Sequence, residues 1–124
     1  MRPRISCVIP AYNEALNLPL VLPEICKQLQ VMTDQFEIIV INDGSRDNTA
    51  EVAIALAARY PEIVVLDLSR NFGKEAAMTA GLEAASGDVV ALMDGDGQHP
   101  ASLLPAMLAK WQEGLDIVYA IRRT

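Results

Sequence analysis

Residues 36–52 read FEIIVINDGSRDNTAEV, a succession that indicates the architecture of the whole chain. The first part, 36–42, is rich in Ile and Val and does not alternate between polar and apolar side chains, which predicts a strand buried on both faces of a parallel sheet. A polar cluster follows. Asn48 and Glu51 then have the spacing of a capping box, in which Asn48 accepts from a first-turn amide and Glu51 reaches back. The stretch predicts a strand, a polar loop and a helix in that order.

The same succession repeats along the chain. Four more apolar runs predict strands at residues 5–10, 63–68, 89–94 and 117–121. Between strands, apolar residues recur at helical spacing, and the three clearest stripes are Val52, Leu56 and Tyr60; Met78, Leu82 and Ala85; and Leu104, Met107, Leu108 and Trp111. The alternation predicts an α/β fold in one domain, residues 1–124, with four helices covering both faces of a five-stranded, mostly parallel sheet.

Three details of the helix ends are predicted with them. Gly87 follows the second stripe and is expected to be its C′ residue. In the first helix, Asn17 is placed to cap the helix and Pro19 suits its first turn. Pro23 is expected to disturb the turn after that.

Composition excludes several classes of protein. The chain has 124 residues and is 52% hydrophobic, which excludes a disordered chain. No apolar run approaches the about 20 residues of a membrane-spanning helix, and a net charge of −6 argues against a nucleic-acid partner. Cys7 and Cys26 lie in apolar segments. We expect two reduced core thiols, with a disulfide or metal site as the alternative, and a cytoplasmic protein.

Polar segments follow four of the predicted strands, at residues 10–14, 42–47, 69–74 and 94–100. The carboxyl ends of parallel strands share one edge, where ligands of open α/β sheets bind. The chain has no GxGxxG and no P-loop glycines to hold phosphates. Asp94 and Asp96 instead predict a divalent metal that holds a diphosphate, and the alternative is an ordinary Asp-Gly turn.

Four motifs carry a family resemblance. They read VIPAYNE at 8–14, VINDGSRDNT at 40–49, RNFGK at 70–74 and MDGDGQHP at 93–100. In this order they resemble the family 2 glycosyltransferases, which have a three-layer α/β/α, Rossmann-like fold named GT-A. The last two motifs are most similar to the branch that transfers sugars to polyprenyl phosphates, namely dolichol-phosphate mannose synthases and undecaprenyl-phosphate sugar transferases.

The resemblance implies a role for individual residues. The nucleotide would be contacted by Pro10, Tyr12, Glu14, Asp43, Lys74 and Asp94. Mg²⁺ or Mn²⁺ would be held by Asp94, Asp96 and Gln98. The donor would be a UDP- or GDP-linked sugar, and an acceptor, here a polyprenyl phosphate, would attack its anomeric carbon with inversion. The family's catalytic base is expected beyond Thr124.

Members of that family are longer than this chain. We therefore expect the nucleotide-sugar-binding half of a transferase whose complete form lies at the cytoplasmic face of a membrane, with little or no turnover by the half alone. Two alternatives stay open at this point. A phospho-receiver domain shares the size and the β/α alternation, and a nucleotidyltransferase shares the α/β plan and the metal.

Overall fold

A computed structural model of the protein describes residues 3–93, the helical residues 105, 106 and 109, and the backbone of 117–119. Within these, five strands and three helices have defined bounds. The strands are β1 Ile5–Ala11, β2 Phe36–Asn42, β3 Ile63–Asp67, β4 Val89–Leu92 and β5 Ile117–Tyr119, and the helices are α1 Leu18–Met32, α2 Thr49–Arg59 and α3 Lys74–Ala84. The side chains of the predicted fourth apolar stripe lie outside the described residues.

The strands form a parallel sheet in the order β3-β2-β1-β4-β5. The predicted parallel α/β architecture is confirmed. The chain builds outward from β1 to β3, then returns to the other side of β1 for β4, so the strand order reverses between β1 and β4. This is the doubly wound order 3-2-1-4-5, which differs from the flavodoxin-like order 2-1-3-4-5 of phospho-receiver domains. The order therefore argues against the receiver alternative.

Two apolar clusters fill the space on the two faces of the sheet. The larger combines β1, β2 and β4 side chains with α1 and α2, and includes Leu22, Ile25 and Leu56. The smaller combines Val8, Ile39, Ile41 and Leu92 with side chains of α3. Because helices cover both faces, the strands need apolar side chains in both directions, which explains why their sequences do not alternate.

Both cysteines belong to the larger cluster and are buried free thiols. Burial raises the pKa of Cys7 to about 12. Burial is also the main reason why the pKa of Cys26 is about 11. Both groups stay protonated at neutral pH, and the prediction of two core thiols is confirmed.

The predicted caps of α1 and α2 are wrong. Asn48 precedes α2, but its side chain makes no capping hydrogen bond. Asp47 takes that place, because its Oδ1 accepts from the Thr49 backbone N–H at 2.9 Å and also from the Thr49 hydroxyl. Asn17 likewise makes no capping bond, since its Nδ2 donates to Glu14 Oε2 at 2.6 Å.

Two predictions about Pro and Gly are also corrected. Helix α1 continues without a break through Pro23, while Pro19 does lie in its first turn. Helix α3 ends at Ala84 with Ala85 extended, so Gly87 is not its C′ residue. A Cβ at Gly87 would lie 2.7 Å from Ser6 Oγ and 2.8 Å from the Arg4 carbonyl oxygen. The glycine is needed because the backbone passes close to β1.

The Glu37 side chain in β2 binds the segment between α3 and β4 to the sheet. Its Oε2 accepts from Ser6 Oγ at 2.6 Å, from the Ser86 N–H at 2.8 Å and from Ser86 Oγ at 2.9 Å. Partial burial alone would raise the pKa of Glu37, but the hydrogen bonds from Ser6 and Ser86, with nearby Arg4, outweigh burial and lower it. The ionised form is therefore favoured by folding.

We expect Glu37→Gln to lower the free energy of unfolding at pH 7. A folded pKa below the unfolded one gives stability that is present above the unfolded pKa and is lost as pH falls through the folded pKa. The difference between wild type and Glu37→Gln should therefore shrink as pH falls below the ordinary pKa of 4.5. Urea unfolding at a series of pH values measures it. Glu83→Gln, on an exposed part of α3, is the matched control, and a pH-independent difference for Glu37→Gln would contradict the argument.

Candidate functional site

Three polar loops meet at the carboxyl edge of the sheet: loop 1 (residues 12–17), loop 2 (43–48) and loop 3 (68–73). They emerge together because Ala11 pairs with Asn42, and Asn42 pairs with Asp67, at the ends of β1, β2 and β3. The predicted meeting of polar segments is confirmed for these three. The fourth segment, which holds Asp94, Asp96 and Gln98, lies outside the described residues.

Asp43 joins loop 2 to loop 3. Its side chain is only 3% exposed. One carboxylate oxygen accepts from the Phe72 N–H at 2.9 Å and the other from the Gly73 N–H at 3.2 Å. Both oxygens of Asp43 thus accept hydrogen bonds from the backbone of loop 3. The residue therefore holds loop 3 in position, in addition to any contact it makes with a ligand.

Gly44 brings the same two loops into close contact. It has a φ of +63°, and a Cβ there would lie closer than 3.0 Å to three backbone atoms of Arg70 and Asn71. Only glycine allows loop 2 to lie this close to loop 3 with that backbone conformation. Two residues of loop 2 therefore hold loop 3 in place: Asp43 through its carboxylate, and Gly44 because it has no side chain.

Loop 1 is fastened to loop 2 and to the start of α2. The Asn13 side chain accepts from the Arg46 N–H at 2.8 Å, and the Glu14 N–H donates to Thr49 Oγ1 at 2.9 Å. The Thr49 hydroxyl bond is the main cause that lowers the pKa of Asp47, and backbone donors, including Ala15, contribute. An ionised Asp47 stabilises this junction.

The described residues of the predicted nucleotide site fall on or beside these loops. Tyr12 is 40% exposed in loop 1, and Glu14 is half-buried beside it. Lys74 is exposed and opens α3 directly after loop 3. Pro10 differs, since it lies buried within β1. The structure thus brings Tyr12, Glu14, Asp43 and Lys74 to one edge of the sheet.

Loop 3 also presents a cation beside an exposed ring. The Arg70 guanidinium lies 4.7 Å from the centre of the Phe72 ring, which is 48% exposed. With Lys74 next to the loop and Arg46 in loop 2, three cationic side chains lie at an edge that also carries the carboxylates of Glu14, Asp43, Asp47 and Asp67. The edge therefore carries charges of both signs, with Arg70 and Lys74 grouped on loop 3 and the start of α3.

The residues that fasten the loops were not assigned roles by the sequence motifs. They are Asn13, Ser45, Asp47 and Thr49, and each lies inside a quoted motif. Their bonds join positions 32 to 35 residues apart, whereas a local pattern reports only on neighbours. The sequence offered one signal, which was Asn13 between the predicted contact residues Tyr12 and Glu14. Asn tolerates a left-handed backbone better than most residues, so it could have indicated a sharp turn there.

Two features are absent from the part of the chain that the structure describes. Among residues 3–93 and the other described positions, no cluster of three or more His, Cys, Asp and Glu side chains is placed to hold a metal ion. No helix in that part of the chain has the length and apolar character to cross a bilayer.

A doubly wound parallel sheet with polar loops gathered at its carboxyl edge is an α/β ligand-binding domain, here of the GT-A type. The sequence model of glycosyl transferase family 2 matches residues 6–124, and the chain belongs to that family of enzymes. The predicted family and fold are confirmed. Membership also decides against the receiver and nucleotidyltransferase alternatives.

Two curated relatives show how much of a whole protein is present. The chain is 42% identical over 120 residues to an uncharacterized glycosyltransferase from Synechocystis, covering 97% of this chain and 38% of that protein. It is 42% identical over 119 residues to the bactoprenol glucosyl transferase of Shigella phage SfV, covering 96% of this chain and 39% of that protein. The chain thus spans less than half the length of either relative.

A solved structure supports the same fold. The mannosyltransferase PcManGT from Pyrobaculum calidifontis, in complex with GDP-Man and Mn²⁺, superposes with a TM-score of 0.77 at 29% identity. The superposition covers 90% of this chain and 32% of that one.

Proposed function

We propose that this chain is the donor-binding half of an inverting glycosyltransferase. It would bind a nucleoside-diphosphate sugar together with a divalent metal, and the complete protein would transfer the sugar to a polyprenyl phosphate. A relative at 42% identity is named a bactoprenol glucosyl transferase, and a structural neighbour is described with GDP-Man and Mn²⁺. These names support the sugar donor, the metal and the lipid acceptor.

The observation that carries the proposal is the parallel pairing of β1 with β4. Strand order reverses between these two strands, and ligands of open α/β sheets bind in the crevice beyond such a reversal. Loop 1 leaves the end of β1, and Asp94 follows Met93, whose N–H donates to the carbonyl of Val8 in β1. The two segments proposed to hold the donor therefore start from neighbouring strands.

Each residue has a proposed role at this crevice. Tyr12 and Glu14 would contact the nucleoside from loop 1, with Pro10 supporting the loop from β1. Asp43 would contact the base or ribose while it holds loop 3. Lys74, with Arg70 nearby, would attract the phosphates, since Lys and Arg form strong charge-assisted hydrogen bonds with phosphate oxygens.

Asp94, Asp96 and Gln98 are the proposed metal ligands. Carboxylate and amide oxygens suit hard divalent ions such as Mg²⁺ and Mn²⁺, so the donor set fits the group. A bound ion would neutralise charge that develops on the leaving nucleoside diphosphate. The protein's own part is to hold the diphosphate at a fixed place, between loop 1 and the segment after β4, so that the anomeric carbon faces the acceptor.

The acceptor side belongs to the complete protein. A polyprenyl phosphate is already an anion, so a weak base or none suffices at the step of attack, and any such base is proposed to lie beyond Thr124. An acceptor with a long apolar chain would place the complete enzyme at a membrane, and a nucleotide-sugar donor would place its active site on the cytoplasmic face.

Calorimetric titration of the chain with UDP and with GDP, each with and without Mn²⁺, tests the donor site. We expect metal-dependent binding of one nucleotide, and loss of that binding in Asp94→Ala/Asp96→Ala, because the diphosphate then lacks its counter-ion. Asp34→Ala/Glu83→Ala removes two exposed carboxylates elsewhere and should bind as wild type does. Failure of the unsubstituted chain to bind either nucleotide would contradict the proposal.

A further inference from the structure

Asn13 has an unusual backbone conformation. It is the one non-glycine residue with a positive φ among residues the structure describes, at 54°. Side chains disfavour this left-handed region, although Asn tolerates it better than most residues. Backbone outliers of this kind persist where surrounding contacts fix them, and they concentrate at functional sites.

All the hydrogen bonds of Asn13 across the site go to one segment of loop 2. Its N–H donates to Ser45 Oγ at 2.9 Å. Its side-chain Oδ1 accepts from the Arg46 N–H at 2.8 Å and, at a longer 3.4 Å, from the Asp47 N–H. The side chain thus supplies an acceptor that two backbone donors share, and it faces loop 2 instead of the crevice.

The residues on either side of Asn13 are the ones proposed to contact the nucleotide. Tyr12 precedes it with an exposed ring, and Glu14 follows it with an N–H bonded to Thr49 Oγ1. A left-handed residue between them turns the chain sharply, so the directions of Tyr12 and Glu14 depend on whether Asn13 keeps that conformation. The bond from Asn13 to loop 2 is what keeps it.

We propose that Asn13 is a positioning residue of the donor site. It acts through loop 2 without touching the nucleotide, and it holds Tyr12 and Glu14 in their binding arrangement before the nucleotide arrives. This inference rests on the proposed donor site, and it adds a residue to which the family motif gave no role. Preorganised contact groups bind more tightly because less freedom is lost on binding.

Two substitutions separate the side chain from the backbone. Asn13→Gly allows the positive φ without strain and keeps the N–H that donates to Ser45, but it removes the shared acceptor and no longer holds the backbone in that conformation. Asn13→Asp keeps an acceptor oxygen at the same place and also tolerates the left-handed region. Asn48→Gly is the matched control, because Asn48 is an exposed Asn of loop 2 whose side chain makes no capping hydrogen bond.

Two readouts are measured on each variant, namely the affinity for the nucleotide that wild type binds with Mn²⁺, and amide hydrogen exchange of Arg46 by NMR. We expect Asn13→Gly to bind the nucleotide about tenfold more weakly, as loss of one such hydrogen bond predicts, and to exchange the Arg46 amide faster. Asn13→Asp should stay within about threefold of wild type in affinity, with slow exchange restored. Asn48→Gly should change neither readout.

The outcomes separate this inference from the proposed function. If the unsubstituted chain binds the nucleotide, but Asn13→Gly leaves either the affinity or the exchange rate of the Arg46 amide unchanged, the role of Asn13 is contradicted. The proposed donor site is not. Equal weakening in Asn13→Gly and Asn13→Asp also contradicts it, because the acceptor would then not be the cause. No nucleotide binding by the unsubstituted chain overturns the donor site, and the role of Asn13 with it.

Discussion

Asp43→Ala is expected to lower the free energy of unfolding by about 3 kcal/mol and to weaken nucleotide binding. Two backbone N–H groups of loop 3 would lose a charged acceptor, and hydrogen bonds to charged groups contribute about 1.5–3 kcal/mol each. The lower end applies, because Phe72 is exposed and water can partly replace the carboxylate. Urea unfolding gives the stability change, and calorimetry with nucleotide and Mn²⁺ gives the affinity.

Asp43→Asn separates the two roles of this carboxylate. An amide keeps one acceptor oxygen but turns an NH₂ toward the other backbone N–H, so we expect stability to fall as well as affinity. A residue that only contacted the nucleotide would lose affinity alone. Asp67→Ala is the control, because Asp67 is exposed and accepts from Asn42 Nδ2 at 2.7 Å. Its removal breaks one hydrogen bond to a charged acceptor and should change stability by about 1.5 kcal/mol, half the effect expected for Asp43→Ala, and an equally small effect of Asp43→Ala would contradict the argument.

The strands could be predicted from the sequence because a strand that is buried on both faces needs apolar residues at successive positions. Residues 38–41 are apolar and buried on both faces of the sheet, and the strand predicted at 36–42 has the same bounds as β2. The residues that cap the helices were harder to predict than the strands. Asp47 and Asn48 are both good capping residues by type, and Asp47, which makes the bond to Thr49, also accepts at 3.4 Å from the Ala15 N–H in loop 1, a tertiary contact that the local sequence does not show.

The candidate site likewise has features that the sequence could predict and features that it could not. That loops 1 to 3 meet at one edge follows from parallel strands, and this could be predicted. That Asn13 and Asp43 fasten those loops could not, since each bonds to a segment about 30 residues away along the chain. A short motif specifies which side chains are present, while the folded loops determine whether a carboxylate faces a ligand or a neighbouring backbone.

Gly44→Ala is expected to destabilise the protein by about 2–5 kcal/mol and to displace loop 3. The left-handed backbone disfavours Ala by about 1–2 kcal/mol, and the added Cβ meets backbone atoms of Arg70 and Asn71 that no rotamer change can move away. Overpacking adds about 1–3 kcal/mol. Urea unfolding measures the total, and NMR shifts of the amides of residues 70–73 report the displacement.

Gly73→Ala is the comparison for the backbone effect alone, because Gly73 also has a positive φ but a Cβ there would meet nothing within 4 Å. With φ 102° and ψ 156°, the backbone of Gly73 is one that essentially only glycine adopts, so Gly73→Ala is expected to lower the free energy of unfolding without bringing a methyl group against Arg70 and Asn71. The double variant Asp43→Ala/Gly44→Ala tests the mechanism further. If the methyl group added by Gly44→Ala pushes loop 3 away from Asp43, both substitutions break the same hydrogen bonds, and their effects on stability should fall short of additive by about 1–2 kcal/mol. Additivity within about 0.5 kcal/mol would mean that Asp43 and Gly44 hold loop 3 through separate contacts, and that the close approach at Gly44 does not control the Asp43 bonds.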